Sequence, residues 1–215
     1  MKSVLFFDYD GVIVDSLSSV AKIQNIILKR FNKNIQTTPE LIRNNWNNGW
    51  QGLYLNIYGF RPEELPETAP LYKKLAVKEK YLPKIFYGID VIIRELAKTH
   101  KLYIVSANYH DVISGGLARN NLLPYFSKIF TQDDVKEIHK SDPKFFLHPL
   151  EATGHKKEEV LIIGDTADEV YAGKSAGIKT IACSWGWQLR NVLVDAGPDY
   201  LVDTPEELLK TIQDL

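Results

Sequence analysis

Three short stretches hold residues whose types and spacing could do chemistry together: Asp8-Tyr9-Asp10-Gly11-Val12, Ser106-Ala107-Asn108 and Gly164-Asp165-Thr166-Ala167-Asp168-Glu169. Several carboxylates, a hydroxyl and two glycine turns make an oxygen-rich set that suits a hard cation, and such a cation commonly partners phosphate. In the first stretch two aspartates stand one residue apart. On a strand they would face opposite ways, but a turn at Gly11 can bring both towards one place. One could attack phosphorus to form an acyl phosphate, while the other serves as acid and then base. The plainer reading is a pair of capping aspartates at a strand–helix turn. This motif alone leaves the two readings open.

The elements around these stretches say how they could meet. Short apolar runs at Val4–Phe7, Leu102–Val105, Lys128–Thr131, Val160–Ile163, Lys179–Ala182 and Tyr200–Val202 read as strands. Helical patterns follow at Gly88–Thr99, Tyr109–Asn120, Pro143–Thr153, Asp168–Ala176 and Gln188–Asp195. A last helix begins at Thr204-Pro205-Glu206-Glu207, a capping-box pattern with proline at the first helical position. Unbroken apolar runs alternating with helices predict an α/β protein with a Rossmann-like parallel sheet, whose reactive groups gather where strands end. All three stretches stand at such ends.

One region breaks the rhythm. About ninety residues between the first two strands of that series contain no convincing strand, and a crossover that long is usually an inserted functional element. Asp15–Phe31, Pro39–Tyr58 and Glu67–Leu82 read as helical, with Gly59-Phe60-Arg61-Pro62 as a break. The expected organisation is a catalytic core of residues 1–14 and 86–215, with an α-helical insert at 15–85. Within the insert Trp46, Trp50, Tyr54 and Tyr58 recur every fourth residue, which predicts one aromatic helix face. Packing inside the insert is the favoured role for that face. Lining a substrate site together with Asn47, Asn48 and Gly49 is the alternative.

Taken together, the motifs resemble the haloacid dehalogenase superfamily, in particular its phosphatase branch with a helical cap inserted after the first strand. Asp8-Tyr9-Asp10-Gly11-Val12 is similar to that family's first signature, Ile104-Val105-Ser106-Ala107-Asn108 to its second and Gly164-Asp165-Thr166 to its fourth. The third is degenerate, with Lys140-Ser141-Asp142-Pro143 in its place; Lys140 precedes Asp165 by 25 residues, and Lys144 is the fallback. Ser184-Trp185-Gly186-Trp187 and the run from Asp199 to Leu208 also resemble phosphoglycolate-phosphatase-like members. Four ordered motifs are far more specific than any one of them.

The resemblance implies roles. Asp8 would be the nucleophile, Asp10 the acid and base, and Lys140 the cation that offsets the charge of Asp8 and the phosphate. Ser106, Ala107, Asn108 and Gly11 would bind the phosphoryl group. Mg2+ would sit on the Asp8 carboxylate, the Asp10 backbone carbonyl and Asp165, supported by Asp168, Glu169 or both. A carboxylate cannot approach a phosphate dianion unless cations neutralise both, so the division is physically coherent. Asp10 argues against a true dehalogenase, which has no ester leaving group to protonate. The expected activity is Mg2+-dependent hydrolysis of a small phosphorylated metabolite, phosphoglycolate-like or a sugar phosphate, through phospho-Asp8. A phosphomutase of the β-phosphoglucomutase type and a non-catalytic binding protein on the same fold are the rivals.

Composition excludes other classes. The 215 residues carry 26 basic and 27 acidic side chains, so no global field draws in nucleic acid or an anionic membrane. The longest stretch without charge, Asn44–Phe60, holds five asparagines and is no membrane span. The N-terminal run meets Asp8 too early for a signal peptide, and a cytoplasmic monomer or homodimer is expected. A single cysteine, Cys183, allows no internal disulfide and reads as a small buried hydrophobe. His100, His110, His139, His148 and His155 lack metal-ligand spacing, and Gly173-Lys174-Ser175 lacks the first glycine of a P-loop.

Overall fold

The computed structural model describes residues 4–46, 49–135 and 138–215. Two compact units divide the chain, one ending at Asp15 and resuming as Ile85–Leu215, the other Ser16–Lys84.

The larger unit is an α/β layer. Its strands are β1 (Val4–Phe7), β4 (Lys101–Val105), β5 (Phe126–Phe130), β6 (Val160–Gly164), β7 (Lys179–Cys183) and β8 (Tyr200–Val202). They pair in the order β5-β4-β1-β6-β7-β8, and every pairing is parallel. The chain builds outward from β1 on one side, then returns to place β6 on the other. That makes the ends of β1, β4 and β6 the topological switch point of the sheet. Phe7 is level with Ile104 on one neighbour and Ile163 on the other, so Asp8, Ser106 and Asp165 all follow within two residues of one level.

Burial on both faces explains the apolar runs. Leu5, Phe7, Ile104 and Ile163 face one cluster, while Val4, Phe6, Val105 and Ile162 face another. The covering helices are α5 (Ile89–Leu96), α6 (His110–Arg119), α7 (Lys144–Thr153), α8 (Ala167–Ala176), α9 (Arg190–Ala196) and α10 (Pro205–Gln213). Their starts lie within two residues of the expected ones. Thr204 Oγ1 accepts from Glu207 N at 3.2 Å, so the last helix is capped as its sequence predicts. Two-residue strands β2 (Val14–Asp15) and β3 (Lys84–Ile85) pair where the chain leaves and re-enters this unit.

The smaller unit is helical: α1 (Leu17–Arg30), α2 (Pro39–Asn44), α3 (Gly49–Gly52) and α4 (Leu65–Ala76). The expected continuous helix over Pro39–Tyr58 is a correction. It stops at Asn45, whose side chain bonds back to Leu41 O at 2.8 Å, and Gly49 has φ of +58°. Short amides compete with the helical ladder, and a left-handed residue ends it. After α3 the chain widens into one π-type turn, with Tyr58 N on Leu53 O at 2.9 Å. The aromatic residues therefore split. Tyr54 and Tyr58 are buried with ring centroids 5.6 Å apart, whereas Trp46 and Trp50 are half-buried and pack edge-on to each other at 4.8 Å. Asn47 and Asn48 lie outside the described residues. Among the described residues no helix is long and apolar enough to cross a membrane.

Candidate active site

The loop after β1 is shaped by its own backbone. Asp8 N still donates to Ile163 O at 2.9 Å, extending the ladder one residue past the strand. Gly11 then turns at φ of +78°, and a Cβ there would land on the Asp165 carboxylate. Glycine is required on both counts. The Asp8 side chain is 5% exposed; its Oδ1 accepts from Tyr9 N at 2.7 Å and its Oδ2 pairs with Lys140 Nζ at 2.5 Å. Lys144 is the exposed first residue of α7, so the structure brings Lys140, not the fallback, to Asp8.

Asp10 is half-buried and its Oδ2 accepts from Asn108 Nδ2 at 2.7 Å. Asn108 Oδ1 in turn accepts from Tyr109 N at 2.7 Å, which fixes the amide's orientation. The side chain expected to touch substrate thus holds the second aspartate. Ser106 is buried, with its N on Phe130 O at 3.0 Å, and Ala107 beside it is half-buried.

The loop after β6 places the two neighbouring acids differently. Glu169 is 2% exposed, and its Oε2 accepts from Asp165 N and Thr166 N at 2.8 Å each and from Thr166 Oγ1 at 3.1 Å. Its Oε1 lies 2.8 Å from Lys140 Nζ. Room for the longer side chain comes from Gly164, where a Cβ would overlap the Glu169 carboxylate. Carboxylate oxygens of Asp8, Asp165 and Glu169 all lie within 4.8 Å of one another. Asp168 stands half-buried on the first turn of α8 and is outside that group, as are the side-chain oxygens of Asp10.

Three buried carboxylates facing one ammonium leave an excess of negative charge. Burial pushes the Asp165 carboxyl well above the usual range, and the charges of Glu169 and Asp8 push further. Burial likewise raises Glu169 to about 7, against the pull of Lys140. Burial works against the Lys140 charge, but Asp8, Glu169 and Asp165 outweigh it and raise its pKa. The donor set is all oxygen, anionic and undercompensated, which fits a hard divalent cation.

Sequence reasoning noted the loop after β7 only as part of the family resemblance and gave it no role. Trp187 N donates to Asp165 Oδ2 at 2.6 Å, and Gln188 Oε1 accepts from Ala167 N at 2.6 Å. Thr166 was quoted in the fourth motif but given no role, although Thr166-x-x-Glu169 has the legible form of a capping box. Cys183, at the end of β7, is fully buried; burial raises its thiol pKa and the nearby acids add to that, so it stays neutral. Gly173-Lys174-Ser175 forms ordinary turns of α8, with Gly173 packed close to Thr180.

Comparison with known proteins gives a consistent answer. Residues 5–183 match the family model described as haloacid dehalogenase-like hydrolase. A phosphoglycolate phosphatase of Aquifex aeolicus is 30% identical over 210 residues, 96% of this chain and 95% of that protein. Pyrophosphatase PpaX of Bacillus cereus is 32% identical over 124 residues, 57% of each chain. Among solved structures, a haloacid dehalogenase-like hydrolase of Streptococcus pneumoniae superimposes with a TM-score of 0.83 at 20% identity, covering 98% of both chains. A Clostridium acetobutylicum protein superimposes with a TM-score of 0.87 at 20% identity over the whole of both chains. These two likenesses concern the fold.

Proposed function

The chain belongs to the haloacid dehalogenase-like hydrolases, as a phosphatase of that family, and we propose that it hydrolyses small phosphomonoesters through an aspartyl phosphate on Asp8. One observation carries the reading: the buried Asp8–Lys140 pair of 2.5 Å, set beside Asp165 and Glu169 at the switch point of the sheet.

Asp8 Oδ attacks phosphorus, and the bond from phosphorus to the ester oxygen breaks. Asp10 gives that oxygen its proton. The resulting Asp10 carboxylate then takes a proton from water as the water attacks phosphorus, which frees phosphate and restores Asp8. Lys140 offsets the charge that Asp8 and the phosphoryl oxygens bring together, and the buried Ser106 hydroxyl donates to one of those oxygens. Asn108 keeps Asp10 aimed. Asp8, Asp165 and the Asp10 carbonyl, with Glu169 behind them, would hold Mg2+, which would supply Lewis-acid charge neutralisation. The helical unit is proposed to be the cap that selects substrate, since it is inserted directly after the Asp8–Asp10 loop.

A phosphoglycolate-like or sugar-phosphate substrate is supported by the full-length likeness to the Aquifex enzyme. The likeness to the Bacillus enzyme adds inorganic pyrophosphate to the compounds to test. Phosphate release is measured from phosphoglycolate, hexose phosphates, pyrophosphate and p-nitrophenyl phosphate, with Mg2+ or with chelator. Release should need Mg2+ and vanish in a folded Asp8→Asn protein, because an amide nitrogen does not attack phosphorus. Near-wild-type turnover by Asp8→Asn would refute the nucleophile.

A further inference from the structure

Residues 184–190 carry none of the proposed chemistry, yet they are tied down along their whole length. Ser184 Oγ and Arg190 Nε, at the two ends, donate to the same oxygen of Asp203 at 2.5 Å and 2.9 Å. Trp185 Nε1 donates to Val12 O at 3.3 Å, in the loop that carries Asp8 and Asp10. Trp187 N donates to Asp165 Oδ2 and Gln188 Oε1 accepts from Ala167 N, both at 2.6 Å. These last two bonds land on Asp165 and on the helix start two residues beyond it.

Gly186 completes the arrangement. It is not one of the left-handed glycines, so its backbone would accept another residue. Space is what forbids one: a Cβ there would overlap the Cβ and Oδ2 of Asp165 and crowd Gly11 O. A Cβ on Gly11 would meet the same carboxylate. Backbone from two loops at opposite ends of the chain thus presses on one side chain. The amide of Trp187 adds a charge-assisted hydrogen bond that chooses its orientation.

We propose that the 184–190 loop is the positioning element of the cation site, with Gly186, the Trp187 amide and Gln188 holding the Asp165 carboxylate in its ligating orientation. This rests on the metal reading above. Groups that orient a metal ligand commonly change metal affinity by roughly 10–100-fold when removed.

The test is calorimetric titration of Mg2+ into the chelator-treated full-length protein, well below its melting temperature, with folding checked by circular dichroism. The wild type should bind and Asp165→Asn should not. Gly186→Ala and Gln188→Met should bind roughly 10–100-fold more weakly while folded. Gln188→Glu, which keeps the acceptor for Ala167 N, should recover most of that loss. Arg190→Met frees only the exposed end of the loop, so it keeps the fold if the others do not, and should weaken binding severalfold. A lowered melting temperature with wild-type Mg2+ affinity in every folded loop variant would overturn the positioning role and leave the metal site standing. No binding by the wild type, or equal binding by Asp165→Asn, would overturn the metal site and the positioning role with it.

Discussion

Buried polar groups do different work in the two units of this chain. In the helical unit two buried pairs close on themselves: Tyr54 OH donates to Gln24 Oε1 at 2.6 Å, and the Thr37 and Tyr58 hydroxyls meet at 2.8 Å. Each pair joins two segments and neutralises its own burial. At the sheet edge of the larger unit the groups form an open chain instead. Asn108 holds Asp10, Lys140 bridges Asp8 and Glu169, and Trp187 holds Asp165, while three carboxylates stay undercompensated. Closed pairs lower the free energy of one packing arrangement. An open, charged array costs stability in the isolated fold and has a use only when an external charge completes it.

The sharpest way to break that contrast is to disarm the open array without touching its packing. Asp10→Asn should cut turnover by roughly 10²–10⁴-fold, the range for losing a general acid–base group. Alkyl phosphates should suffer more than p-nitrophenyl phosphate, whose leaving group needs no proton. Asn108→Leu leaves Asp10 in place but removes its donor. It should lower turnover by roughly 10–100-fold, equivalent to about 1.5–3 kcal/mol for a hydrogen bond to a charged group. Wild-type turnover by Asn108→Leu at saturating substrate would mean that the Asn108–Asp10 bond is packing of the same kind as Tyr54–Gln24.

The same contrast explains what could be read from the sequence. The fold was legible because doubly buried parallel strands leave unbroken apolar runs; Val4–Phe7 and Tyr200–Val202 need no revision. Asp8, Asp10 and Asp165 stood out because several carboxylates gathered at neighbouring strand ends in ordered motifs, although any one alone reads equally well as a cap. Asp168 and Glu169 were not separated, although only Glu169 stands three residues after Thr166 in the form of a capping box. The room for the Glu169 carboxylate comes from the missing Cβ of Gly164, five residues earlier, a contact no spacing along the chain displays. Gly186 was hidden for a similar reason, as its constraint comes from Asp165 in space. The break in the 39–58 segment was missed because a four-residue aromatic repeat looks helical even where asparagine and left-handed Gly49 interrupt the ladder.

A substitution inside the closed pairs should do the opposite of Asp10→Asn. Gln24 is 1% exposed, and Tyr54→Phe takes away the hydroxyl donor to its carbonyl oxygen. Leaving a buried acceptor unmatched costs about 1–3 kcal/mol, so the melting temperature should fall. Turnover of p-nitrophenyl phosphate per folded molecule should stay at the wild-type level. A drop in turnover with an unchanged melting temperature would place Tyr54 among the working groups and end the distinction.

The smallest expected effect lies at the surface of the helical unit, where charge closes on itself. Glu64 Oε2 accepts from Arg61 N at 2.7 Å and from Lys33 Nζ at 2.8 Å, and Lys33 also donates to Gly59 O at 2.8 Å. The Arg61 amide, and after it Lys33, lower the Glu64 pKa from 4.5 to about 2. A carboxyl whose folded pKa is depressed stabilises the fold above its unfolded pKa and loses that contribution as pH falls through the folded one. Glu64→Gln should therefore melt slightly below the wild type at neutral pH, and the gap should close between pH 4.5 and about 2. Solvent screens such a pair, so added salt should shrink the gap as well. The comparison is read as wild-type minus variant melting temperature across acid pH, which cancels every group the two proteins share. A gap that stayed constant through that window would show that Glu64 holds the turn by shape rather than by charge.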